Sequence, residues 1–223
     1  MTVGMQKEPA RDGRARRHTR GGDPCWRKDP AGRRERVLAE AARLFAERGY
    51  GAVTTGMIAS AAGVAEGNVF HYFGSKQNLL REAGARWGRE FAHAMFDGIE
   101  PAAGAGVLEA MVRRAFAFVE GSHAGFGLFL LSGDPSLGPA VHQANRNEVT
   151  GAVEAVLRDW SERGVARVSD AAVVAHLLFG MMEAALRATF HGPAPDDPSC
   201  AERKERYVRE LVTAMTRMLE PVG

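Results

Sequence analysis

Cysteine is almost missing from this chain: Cys25 and Cys200 are the only two in 223 residues, and they lie far apart in sequence. Two distant thiols cannot staple a disulfide framework, and they fit a reducing, cytoplasmic compartment as plain free thiols rather than as a sensor. Long apolar runs are missing too. No stretch reaches the roughly 18 uncharged apolar residues that a membrane span needs. The nearest, Ala171 to Ala185, is interrupted by His176 and Glu183 and reads as a buried helix, so no membrane partner is expected. The basic N-terminal region has no apolar segment of the kind a secretory signal carries. No run of alternating β-branched residues suggests a sheet. Nor is there a phosphate-binding loop, a paired-histidine metal motif, a serine-nucleophile elbow or a Cys-x-x-Cys pair. Residues 121–127 are rich in glycine but lack a preceding strand and a following lysine. Catalysis, a bound cofactor and a metal site are therefore not expected.

What the chain does have is an ordinary globular composition, 45% hydrophobic and 25% charged, and an uneven distribution of charge. The net charge of +2 divides into +6 over residues 1–36 and −4 over the remainder. A basic end on a mildly acidic body suits contact with a polyanion, although charge alone fits a solvated tail as well. Residues 1–31 are rich in Gly, Arg, Pro and Asp without apolar periodicity and read as a mobile arm.

From Arg33 onward the pattern is helical nearly throughout, which predicts an all-α fold. Val37, Leu38, Ala41, Leu44 and Phe45 form one stripe on a first helix over 32–48, closed by Gly49 with Tyr50 packing back. Thr54 is placed to cap a short helix through the backbone N–H of Met57, burying Ile58, Ala59 and Ala62. Gly63 breaks that helix, and a second short one covers 66–72. Ser75 then caps a long helix to about residue 97. Two short helices around a tight glycine turn form a helix-turn-helix, in which the first braces on the phosphate backbone and the second enters the major groove. In the second, Val69 and Phe73 are expected inside with Phe70 beside them, and Gly67, Asn68 and His71 outside. Further helices are expected near 104–121, 124–131, 136–163, 169–190 and 199–220, separated by Gly and Pro signals.

The run Thr54-Thr55-Gly56-Met57-Ile58-Ala59-Ser60-Ala61-Ala62-Gly63-Val64-Ala65-Glu66-Gly67-Asn68-Val69-Phe70-His71-Tyr72-Phe73-Gly74-Ser75-Lys76 resembles the signature of the tetracycline-repressor (TetR) family, and Leu44 to Tyr50 resembles the exit of that family's first helix. The resemblance covers about residues 33–82. It implies phosphate contacts from Thr55, Tyr72 and Lys76, and base or groove contacts from Gly67, Asn68 and His71. Lys76 also makes independent sense, because the first turn of a helix attracts phosphate. Three departures stand out. Gly56 lacks a base-reading side chain, Ala65 lacks a capping hydroxyl worth about 1 kcal/mol, and Phe70 lacks a tyrosine hydroxyl. Together they point to a more degenerate DNA site.

The resemblance also implies a division into an arm (1–31), a DNA-binding head (32–78) and a helical regulatory and dimerisation part (79–223). Two apolar stripes on the last two helices fit a four-helix homodimer interface, with Leu177, Met181, Leu211, Met215 and Met218 as its candidates, or else simply close an intrachain core. A ligand cavity is expected among Phe116, Phe126, Phe129, Trp160 and Phe179, with His142, and also His123, Gln143 and Asn145, as orienting polar groups. The implied partners are operator DNA, a hydrophobic or amphipathic effector and a second copy of the chain. The implied action is repression relieved by the effector. An activator, a co-repressor-dependent regulator and a low-specificity architectural DNA binder are left open by the residues alone.

Overall fold

The computed structural model of the chain describes residues 29–99, 105–121, 138–190 and 198–219. The expected helix over 124–131 lies outside the described residues. Eight helices account for nearly all of what is described, and no strand occurs among these residues, as the all-α reading expected. They are α1 (Pro30–Arg48), α2 (Thr55–Ala62), α3 (Glu66–Phe73), α4 (Lys76–Phe96), α5 (Ala105–Gly121), α6 (Gly138–Glu162), α7 (Ala171–Phe190) and α8 (Pro198–Leu219).

Local chemistry sets the boundaries at the N-terminal end. α1 begins with proline at its first position, and Asp29 accepts a hydrogen bond from the Gly32 amide at 3.0 Å. Thr54 caps α2 by accepting from the Met57 amide at 3.2 Å, and Ser75 caps α4 by accepting from the Asn78 amide at 3.0 Å. Gly63 ends α2 in the left-handed region (φ 66°, ψ 37°), and the Val64 amide reaches back to the Ala59 carbonyl at 3.0 Å. A side chain at Gly63 would strain that turn and alter the angle between α2 and α3.

Two hydrophobic cores result. The first gathers Val37, Leu38, Phe45, Ile58, Val69 and Phe73 with Leu79, Leu80 and Ala83 from the start of α4. The second begins at Trp87 and Phe91, further along the same helix, and takes in α5 to α8. α4 is therefore built into both cores, and its largest packing surface is against α6. At that crossing Gly88 is buried, and a Cβ there would stand 2.7 Å from Asn145 Oδ1 and 2.9 Å from the Asn145 carbonyl oxygen. Only glycine permits so close an approach. Ion pairs fasten the head along α4: Arg34 pairs with Glu82, and Arg86, which also pairs with Glu90 of its own helix, reaches Glu35. α7 is long and apolar enough by composition to cross a membrane. One face of it, including Val174, Leu178, Phe179 and Met182, is packed into the second core.

Candidate nucleic-acid interface and effector cavity

α2 and α3 meet across the Gly63 turn, with Val69 and Phe73 holding α3 against the first core. This leaves Glu66, Gly67, Phe70 and His71 exposed and Asn68 half-buried on its flank. A Cβ at Gly67 would meet nothing of the chain within 4 Å, so internal packing does not require glycine there. Phe70 departs from the expected inward placement, at 49% exposed. It lies one residue on from Val69, roughly 100° around the helix, and so falls on the edge of the buried stripe. Among the described residues, only Val173 and Leu177 are comparably exposed large apolar side chains.

Thr55 and Lys76 are both engaged by their own chain. The Thr55 hydroxyl donates to the Glu66 carboxylate, which joins the first turn of α2 to the first turn of α3. The hydroxyl's single hydrogen is thus already committed. Lys76 Nζ donates to the Tyr50 carbonyl at 2.6 Å and stands 3.9 Å from the centre of the Tyr50 ring. An ammonium has three donors, so two are left for a phosphate. Burial pushes the Lys76 amine below its ordinary range and the Tyr50 hydroxyl above its own. Tyr50 is held in turn by Phe45, ring to ring at 5.4 Å. The sequence pattern has Tyr50 packing back on the last turn of α1 and gives no sign of its contact with Lys76, a partner 26 residues away. Tyr72 is half-buried, with its ring 5.4 Å from that of His71. Thr55, Gly67, Asn68, His71, Tyr72 and Lys76 thus gather on α2, α3 and the start of α4.

The second core encloses an apolar cavity of about 50 Å³ of free space between α4, α5, α6, α7 and α8. Trp160 and Phe179, both named from sequence, line it together with Trp87, Phe91 and Met182. Phe116 is fully buried and does not line it, packing instead on Phe190 at 6.0 Å. Phe126, Phe129 and His123 lie outside the described residues, as does the side chain of His142. Gln143 is exposed and donates to Asn147. Asn145, 3% exposed, is the polar residue of that group that reaches the cavity. Glu183 also lines it and is held by Arg187 at 3.0 Å.

The candidate dimer residues divide. Leu211 and Met215 are buried in the chain's own core, at 7% and 9% exposed. Leu177 is 53% exposed, and Met181 and Met218 are partly buried. On α7, Val173, Leu177, Gly180, Ala184 and Ala188 form an exposed face of small and apolar residues, with the exposed imidazole of His176 among them.

Two family models match the chain: bacterial regulatory proteins of the tetR family over residues 37–83, and the C-terminal domain of AefR-like transcriptional repressors over residues 131–219. The HTH-type transcriptional repressor KstR2 of Rhodococcus jostii is 34% identical over 104 residues, covering 44% of this chain and 49% of that protein. The HTH-type transcriptional repressor AcnR of Corynebacterium glutamicum is 41% identical over 61 residues, covering 26% of this chain and 32% of that one. The chain therefore spans at most about half the length of these curated relatives. Among solved structures, Salmonella enterica GusR superposes with a TM-score of 0.63 at 24% identity, over 86% of this chain and 97% of that one.

Proposed function

The chain belongs to the TetR family of transcriptional regulators, and from that premise we propose that it is a homodimeric, cytoplasmic repressor released from its operator by an apolar small molecule, a regulator and not a catalyst. One observation carries the reading. α4 joins a DNA-binding head with a free outer face on α3 to a core that holds an apolar cavity. Asn68 and His71 read base edges beside Gly67, where the backbone comes closest to the groove. Tyr72, Lys76 and, once freed from Glu66, Thr55 hold phosphates. Phe70 adds an apolar contact of the kind that meets a thymine methyl group.

A helix-turn-helix dimer needs its two recognition helices roughly 34 Å apart to reach successive major grooves. The exposed face of α7 supplies the partner surface, and the partly buried Met181 and Met218 complete it when the second copy docks. The cavity supplies the control. A dry cavity of roughly 150 Å³ admits benzene, and this one has about a third of that space. An effector must therefore displace the helices around it, α4 among them, and α4 carries the head. A hundredfold loss of operator affinity requires nearly 3 kcal/mol of preference for the displaced form.

Selection of bound sites from random duplex DNA tests the reading. The expected product is a palindrome whose half-sites lie about one helical turn apart, or a multiple of it. Recovery of no shared sequence would replace a sequence-reading repressor with an indiscriminate DNA binder.

A further inference from the structure

The cavity carries chemical information beyond its size. Asn145 is 97% removed from solvent, and its Oδ1 has no hydrogen-bond partner among the described residues. It sits on α6 where that helix crosses Gly88 of α4, with Oδ1 turned toward Gly88, and the residue lines the cavity. A buried amide without a partner costs free energy unless something supplies one, so buried polar groups in folded proteins are nearly always paired. The other described lining residues are hydrocarbon, sulfur or aromatic, the indole N–H groups of Trp87 and Trp160 included, except for Glu183, whose carboxylate Arg187 already holds. Among the described residues, no Lys, Arg or His lines the cavity. Arg146 is not among the lining residues and stands over the Phe179 ring at 5.6 Å.

We infer that the effector is a neutral, largely hydrocarbon molecule carrying a hydroxyl group that pairs with the side-chain amide of Asn145, and that anionic molecules of the same skeleton are rejected. The inference rests on the proposal that this cavity is the effector site. A hydroxyl both donates and accepts, and so satisfies an amide whichever of its ends faces the cavity. A carboxylate would enter beside the Glu183 carboxylate, which already takes up the charge of Arg187, and desolvating it there is costly. A purely apolar cavity ranks ligands by hydrophobicity, hydrocarbon before alcohol before carboxylate. A cavity with a polar anchor inverts the first pair, because an apolar ligand leaves the anchor unpaired.

The test uses the full-length dimer and two matched series, indane with 2-indanol and indane-2-carboxylate, and octane with 1-octanol and octanoate. Binding is measured by calorimetry and by the rise in melting temperature. In a series that fits, the alcohol should bind about tenfold tighter than the hydrocarbon, and the carboxylate should bind most weakly. Asn145→Leu, close to isosteric, should cut the alcohol's advantage at least fivefold and leave hydrocarbon affinity intact. Hydrocarbon binding without preference for the alcohol overturns the role of Asn145 and leaves the effector cavity standing. Tighter binding of the carboxylate overturns it also, and directs attention to Arg146. If no member of either series binds, the cavity reading falls together with this inference. If Asn145→Leu does not fold, the ranking on the unaltered protein decides.

Discussion

Replacing Leu177 with glutamate separates assembly from folding. Val173 and Leu177 lie one turn apart on α7 and keep 54% and 53% of their surface exposed. Burying a Val or Leu side chain fully is worth roughly 1.5–3 kcal/mol, so covering the remaining half contributes about 1 kcal/mol each. A two-fold interface uses every residue twice. The four side chains then supply about 4 kcal/mol, a factor of about a thousand in the dimer dissociation constant. Leu177→Glu removes about half of that and brings two like carboxylates into an apolar contact, which costs at least as much again. Dimerisation should weaken about a thousandfold or more, and operator binding should fail with it. The monomer's own stability should hardly change, because exposed positions usually shift it by no more than about 0.5 kcal/mol. Leu211→Glu makes the contrast: it drives a carboxylate into the chain's own core and should unfold the protein. Sedimentation velocity over a micromolar concentration series, run beside thermal melts, reads both effects. A Leu177→Glu protein that sediments as a dimer and holds its operator normally would refute the assignment of this face.

Three further outcomes are expected at the DNA-binding end. Glu66→Ala frees the Thr55 hydroxyl and removes a negative charge from the DNA-facing side, so affinity for operator and random duplex should rise together by up to about tenfold; fluorescence anisotropy that shows weaker binding would make Glu66 itself a contact. Asn68→Ala should cost about 1–3 kcal/mol and relax preference at one base pair per half-site, whereas Lys76→Ala should weaken all DNA alike and flatten the salt dependence by about one unit per lost contact; unchanged base preference in Asn68→Ala would show that the reading face is misplaced. Tyr50→Leu removes the ring under Lys76 and should reproduce the shallower salt slope of Lys76→Ala with base preference intact, as measured by titration at several salt concentrations.

The parts legible in the sequence were those fixed by chemistry within a few residues. Thr54, Ser75 and Gly63 announce their roles through neighbours three to five positions away, and the structure has each cap and the turn where the spacing puts them. Apolar periodicity identified the striped helices but could not say which edge of a broad stripe faces inward. Phe70 was therefore assigned to the interior, and Leu211 was grouped with Leu177 although one is buried by its own chain and the other is exposed. Contacts between distant segments had no local signal at all. The seat of Lys76 on Tyr50, the hydrogen bond from Thr55 to Glu66 and the crossing of Asn145 over Gly88 all depend on the path of the backbone between the partners.

That α4 is shared by two cores bears on how such proteins can be taken apart and recombined. A chain cut at residue 78 would strip Leu79, Leu80 and Ala83 from the head and leave Ile58, Val69 and Phe73 open to water. It would also orphan Arg34 and Glu35, whose partners are Glu82 and Arg86. Splicing is better tolerated where one set of inward side chains has ended and the next has not begun, between Ala83 and Trp87. A donor head grafted there brings its own lid and leaves the recipient's cavity wall whole, provided that the donor supplies an arginine at position 86. Exchange of the head between such chains meets the same seam: the portable unit is the head with the first three turns of α4, through Arg86, and a shorter piece leaves Glu35 without its partner.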